Sequence, residues 1–231
     1  YYGGTYAYAS ALDSLNIKVN AGTANELAHC KSVVYKTLES LPEVHAGLLK
    51  NLTLYFTKTG RRGLGGGSTI ILRCKSVSDP ELSAVLVHEI GHLVDTGLFK
   101  GTKKSGETSF EDFGAPIYQD DISSTFYSIS WVDTETKKEG TRSTDFVSGY
   151  AKSDPFEDFA ESYLLYRLYG TDFRQIMRTS EQLQQKYDFL KNEVFDGNEF
   201  DNMENPIKNS YYRPFDATLL AYNLQSFWAE R

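Results

Sequence analysis

Five residues, His88-Glu89-Ile90-Gly91-His92, carry the chemistry that is easiest to read in this chain. On a helix, residues four apart lie on one face, ~6 Å apart along the axis and ~40° apart around it. Two imidazoles so placed can together hold one Zn²⁺, each at ~2.1 Å. Glu89 lies ~100° further around. It can reach an activated water rather than the metal, which suits a general base in hydrolysis. The surrounding residues, Leu82, Val85, Leu86, Val87, Ile90, Leu93 and Val94, are apolar nearly all round. Such a helix is expected to be buried. Buried imidazoles and a carboxylate need partners, and a metal satisfies them better than hydrogen bonds among core histidines.

This H-E-x-x-H spacing is the zinc metallopeptidase pattern. A catalytic zinc takes a third protein ligand and keeps one position open. The metzincin pattern would put a histidine six residues after His92, but Leu98 stands there. His29 and His45 read as surface or core residues. The better donors are carboxylates on the segment Pro155-Phe156-Glu157-Asp158-Phe159-Ala160-Glu161. Glu157 and Glu161 share a helical face with Leu164 and Leu168, where carboxylates need partners. Zinc can partner Glu157, and the outer N–H of a ligand histidine can partner Glu161. Glu157 could instead close a capping box with Asp154, and Asp158 is the alternative ligand. Asp95, on the face of His88 and His92, either orients a ligand histidine or bonds nearby backbone. Gly91, beside that face, permits close approach of another backbone.

The elements that must position these groups are legible in outline. A strand is expected over 15–19. A capped helix follows Thr23-Ala24-Asn25-Glu26 and ends at Pro42. Strands are expected over 52–57 and 68–73, joined by a glycine-rich turn over 59–67. No G-K-[ST] follows that run, so it is not a phosphate loop. Asp79-Pro80 opens the H-E-x-x-H helix, which should reach Phe99. Residues 100–109 read as loop, 126–131 as a strand or short helix, and 133–145 as a charged loop. Asp154-Pro155 opens a helix that Gly170 closes. Two more helices are expected at 172–179 and 180–195, and 217–224 reads as strand or helix. The resulting fold class is α+β.

The chain has 231 residues, 40% apolar and 14% aromatic, enough for one packed catalytic domain rather than a disordered chain. A net charge of −7 argues against nucleic acid as a partner. No run of 18 apolar residues is present, so no membrane span is expected. Cys30 and Cys74 can form one disulfide or remain buried thiols. The chain opens Tyr1-Tyr2-Gly3-Gly4 without a methionine, as a piece of a longer precursor would.

Together these residues resemble the gluzincin peptidases. They are most similar to the family of the anthrax lethal factor catalytic domain and the secreted Pro-Pro endopeptidases. The family pattern H-E-x-G-H-x-x-D reads here as His88 to Asp95. A tyrosine seven residues before the ligand glutamate reads as Gly149-Tyr150, and F-A-E as Phe159-Ala160-Glu161. The resemblance implies a zincin-like fold, with His88, His92 and Glu157 on Zn²⁺, Glu89 as base, and Glu161 and Asp95 behind the ligands. It gives Tyr150 the role of donor to the tetrahedral oxyanion, with Tyr163 as runner-up; otherwise Tyr150 is a packing residue. It implies a protein or peptide substrate paired along a cleft-edge strand near Gly65–Leu72, and a secreted monomer. The layout expected is one catalytic domain over 1–231. It has an N-terminal subdomain 1–99, an insertion 100–149 longer than in compact members, and a helical subdomain 150–231. The rival functions are a peptide-binding module on an inactive peptidase scaffold and a zinc hydrolase of non-peptide substrates.

Overall fold

In the computed structural model, residues 14–203, 215–218 and 224–229 are described. The chain divides into two compact units, Tyr1–Leu98 and Phe99–Arg231. The division follows the end of the H-E-x-x-H helix, and residues 100–149 belong with the second unit. The protein is α+β, with a four-stranded mixed sheet and a separate two-stranded sheet.

The first unit holds the strand β1 (Asn16–Asn20), the helices α1 (Ala24–Glu39) and α2 (Glu43–Ala46), and the strands β2 (Asn51–Tyr55), β3 (Gly63–Gly66) and β4 (Thr69–Arg73). The helix α3 (Asp79–Leu98) completes it. Sheet order is β1-β2-β4-β3. The first three run parallel and β3 is antiparallel at the edge. Leu52 and Leu54 of β2 lie opposite Ile70 and Leu72 of β4. All four are buried, as strand alternation over a packed face requires. Helix α3 packs on β3 and β4, with α1 beside it.

Several local expectations hold. Thr23 and Glu26 form the reciprocal capping box of α1. The start of α3 is as expected, but the capping role expected of Asp79 falls to Ser78. The Ser78 hydroxyl accepts from the Glu81 N–H, while Asp79 faces His29 at 2.8 Å. Cys30 and Cys74 are disulfide-bonded, Cα to Cα 5.9 Å, which ties α1 to the end of β4.

The expected turn over 59–67 is corrected: its second half is strand β3. Four residues with three glycines have little strand propensity, and only pairing with β4 makes them a strand. The cleft-edge strand expected near Gly65–Leu72 is corrected with it. β4 is bonded on both sides, so β3 alone presents that edge of the sheet.

The second unit begins with the hairpin β5 (Glu107–Asp112) and β6 (Ala115–Tyr118), where a loop was expected as far as 109. Four helices follow: α4 (Ser123–Ser130), α5 (Pro155–Leu168), α6 (Gly170–Ile176) and α7 (Glu181–Phe189). A single π turn over Leu190–Val194 extends α7, and α8 spans Leu224–Ala229. The ambiguous 126–131 segment is thus mostly helix. Asp154 caps α5, accepting from the N–H groups of Phe156 and Glu157. The core is aromatic: Tyr166 stacks on Phe195, and Phe126 meets Phe159 edge to face. The expectation for 217–224 falls partly outside the described residues, as does the start of the chain. No helix among the described residues is long and apolar enough to cross a membrane.

Candidate functional site

In the first unit, α3 is buried over nearly its whole circumference. His88 is 6% and Glu89 7% exposed, and His92 is half-buried. The two imidazole rings meet edge to face with centroids 4.8 Å apart. The i, i+4 spacing therefore puts both rings side by side, as two ligands of one ion require. Asp95 is fully buried one turn further on, and Gly91 is buried between the histidines. His29 is an exposed partner of Asp79, and His45 is buried in α2. Neither belongs to this cluster.

Glu89 faces the edge strand. The Cα atoms of Gly63 and Gly65 lie so close to its carboxylate that a Cβ on Gly65 would sit 2.8 Å from Oε2. Sequence reading assigned these glycines to a turn. The missed signal was their alternation at positions 63 and 65, which strand geometry puts on one face.

In the second unit, the first turn of α5 carries Glu157, half-buried. Its Oε1 accepts a hydrogen bond of 2.8 Å from the Tyr150 hydroxyl. The capping of α5 is done by the Asp154 side chain, and the Glu157 carboxylate turns toward Tyr150. Burial first, and the Glu157 carboxylate second, push the Tyr150 hydroxyl well above the usual phenol range. It stays protonated and able to donate at neutral pH. Tyr163, by contrast, is buried and stacked on Phe195 with centroids 5.0 Å apart, a packing position.

Asp158 is not available as a ligand. It is fully buried, 2.7 Å from the Lys186 ammonium, and accepts from the Trp131 indole N–H at 3.0 Å. Burial pushes its carboxyl up and the Lys186 ammonium down, and their mutual attraction opposes both. The pair ties α5, one residue past Glu157, to α7. Lys186 also lies over the Phe146 ring at 4.1 Å. Lys186→Ala would leave the Asp158 charge buried and uncompensated. The expected loss of stability is about 3–5 kcal/mol. A urea midpoint close to that of the wild type would rule out an ionised pair here.

Glu161 is fully buried. Its Oε2 accepts from the Ser148 hydroxyl at 2.6 Å and from the Ala217 N–H at 2.7 Å. The short segment 215–218 thus reaches the α5 carboxylate. The same segment receives the Tyr150 N–H on the Phe215 carbonyl, and the Phe215 ring lies 6.0 Å from that of Tyr150. Gly149 has Phe215 where a Cβ would be, with a side-chain carbon at 2.9 Å. Sequence reading missed this support. Nothing in the spacing of 215–218 indicates a partner some sixty residues upstream.

No family model matches the chain, and no curated protein is similar to it.

Proposed function

We propose that this chain is a zinc-dependent endopeptidase of the gluzincin kind, with the zincin-like fold of the lethal factor and Pro-Pro endopeptidase family. The observation that carries the reading is the pairing of His88 and His92 on one buried helix, with Glu89 between them. His88, His92 and Glu157 are a group of donors that could hold a metal ion. Two imidazoles and one carboxylate fit a catalytic zinc, which takes three protein ligands of this type. When bound, Zn²⁺ supplies a Lewis acid for the scissile carbonyl and for the attacking water.

The chain's own residues would do the rest. Glu89 takes a proton from the attacking water and delivers it to the leaving amine. The Tyr150 O–H donates to the carbonyl oxygen as that oxygen gains charge. Glu161 and Asp95 would act behind the ligands, as groups that orient them. The edge strand β3 pairs with extended substrate backbone, in place of the stretch Gly65–Leu72 that the sequence points to. Secretion as a monomer belongs to the same proposal; the disulfide is compatible with an oxidising compartment.

A peptide library incubated with the zinc-loaded protein tests the reading. Internal cleavage is expected, abolished by a chelator and restored by zinc. Binding of peptides without cleavage would make the chain a recognition module, and hydrolysis confined to non-peptide substrates would change the reaction class.

A further inference from the structure

Strand β3 has its pattern inverted. Gly63 lies opposite Leu72, and Gly65 opposite Ile70. Cross-strand partners point to the same face of a sheet. Leu72 and Ile70 are fully buried, so positions 63 and 65 face inward. Leu64, between them, is 45% exposed. A half-buried strand ordinarily carries its large apolar residues inward. Here the inward positions hold no side chain and the outward one holds a leucine. Glycine also weakens a strand interior.

Backbone conformation does not explain the choice. Neither Gly63 nor Gly65 is among the residues with positive φ. Space does. A Cβ on Gly63 would overlap Glu89 Oε1 and fall 2.6 Å from Val85 Cγ1. A Cβ on Gly65 would sit 2.8 Å from Glu89 Oε2 and 3.1 Å from the Glu89 carbonyl oxygen. Gly66, on the same strand, would meet nothing. The requirement is confined to the two positions that face Glu89.

We propose that Gly63 and Gly65 are positioning residues for Glu89, forming a slot between the edge strand and helix α3 that holds its carboxylate in one place. The slot stands on the geometry of the first unit alone. Its catalytic consequence rests on the peptidase reading above. A Cβ at either position would collide with one oxygen of Glu89, so the place the carboxylate occupies exists only because both residues lack a side chain.

Gly63→Ala is the discriminating variant, because its added methyl meets only side-chain ends and the backbone can stay where it is. On a peptide that the wild type cleaves, kcat is expected to fall about 100-fold, the cost of displacing a reacting group by about an ångström. KM and zinc content should stay at the wild-type values. In a Glu89→Gln background the same substitution should leave peptide binding unchanged. A raised KM with kcat intact would overturn the proposal, since the glycines would then serve substrate pairing. A crystal structure of Gly63→Ala gives a readout independent of activity. A displaced Glu89 carboxylate supports the slot, and an unmoved one overturns it. If the carboxylate moves while the wild type cleaves no peptide, the slot is upheld and the peptidase reading is what fails.

Discussion

Glu89→Gln is expected to lose ~10²–10⁴-fold in kcat, the usual contribution of a positioned acid–base group, while retaining its full complement of zinc. Glutamine has the same shape as glutamate, so it fits the same space beside Gly63 and Gly65. It cannot accept a proton at neutral pH. The two imidazoles, one residue before and three after, are untouched. The loss should therefore appear in turnover and not in metal content. Metal analysis of the purified variant, paired with steady-state kinetics, separates the two. Full activity in Glu89→Gln would sink the assignment of the base. Zinc lost along with activity would instead make Glu89 a ligand.

Glu157→Ala should weaken zinc binding by more than the ~10–100-fold that follows loss of a group behind a ligand. Competition with a chromophoric chelator measures this directly. The rival carboxylate, Asp158, is held by Lys186 and Trp131 and is in no position to substitute. Glu157 also accepts from Tyr150, so its loss disturbs the phenol as well. Tyr150→Phe provides the control, removing the donor while leaving the carboxylate. It should lose turnover and weaken zinc binding by no more than ~10–100-fold, less than Glu157→Ala does. Unchanged zinc affinity in Glu157→Ala would remove it from the ligand set.

The helical landmarks of both units could be read without coordinates because each depends on residues within one turn. His88 and His92 share a face through helix geometry alone. The Thr23–Glu26 capping box and the Asp154 cap are bonds between residues two or three apart. The apolar run around His88 announced a buried helix, and α3 is buried. Periodicity sufficed for α+β in the coarse sense, because alternating and helical patterns both recur along the chain.

What the sequence left open concerns groups far apart in the chain. Whether Cys30 and Cys74 pair depends on where α1 and the end of β4 come to rest. That 63–66 is a strand depends on β4, since its glycines carry no local preference for one. The withdrawal of Asp158 from candidacy depends on Lys186, twenty-eight residues on. The support of Tyr150 and Glu161 by 215–218 depends on a contact across more than fifty residues. Periodicity and capping report only on neighbours, whereas these pairings follow from the packing of whole elements. The H-E-x-x-H motif therefore singled out Glu89 as a candidate base from its own spacing. The strand that lies against Glu89, and the bonds that hold Tyr150 and Glu161, came only from the tertiary structure.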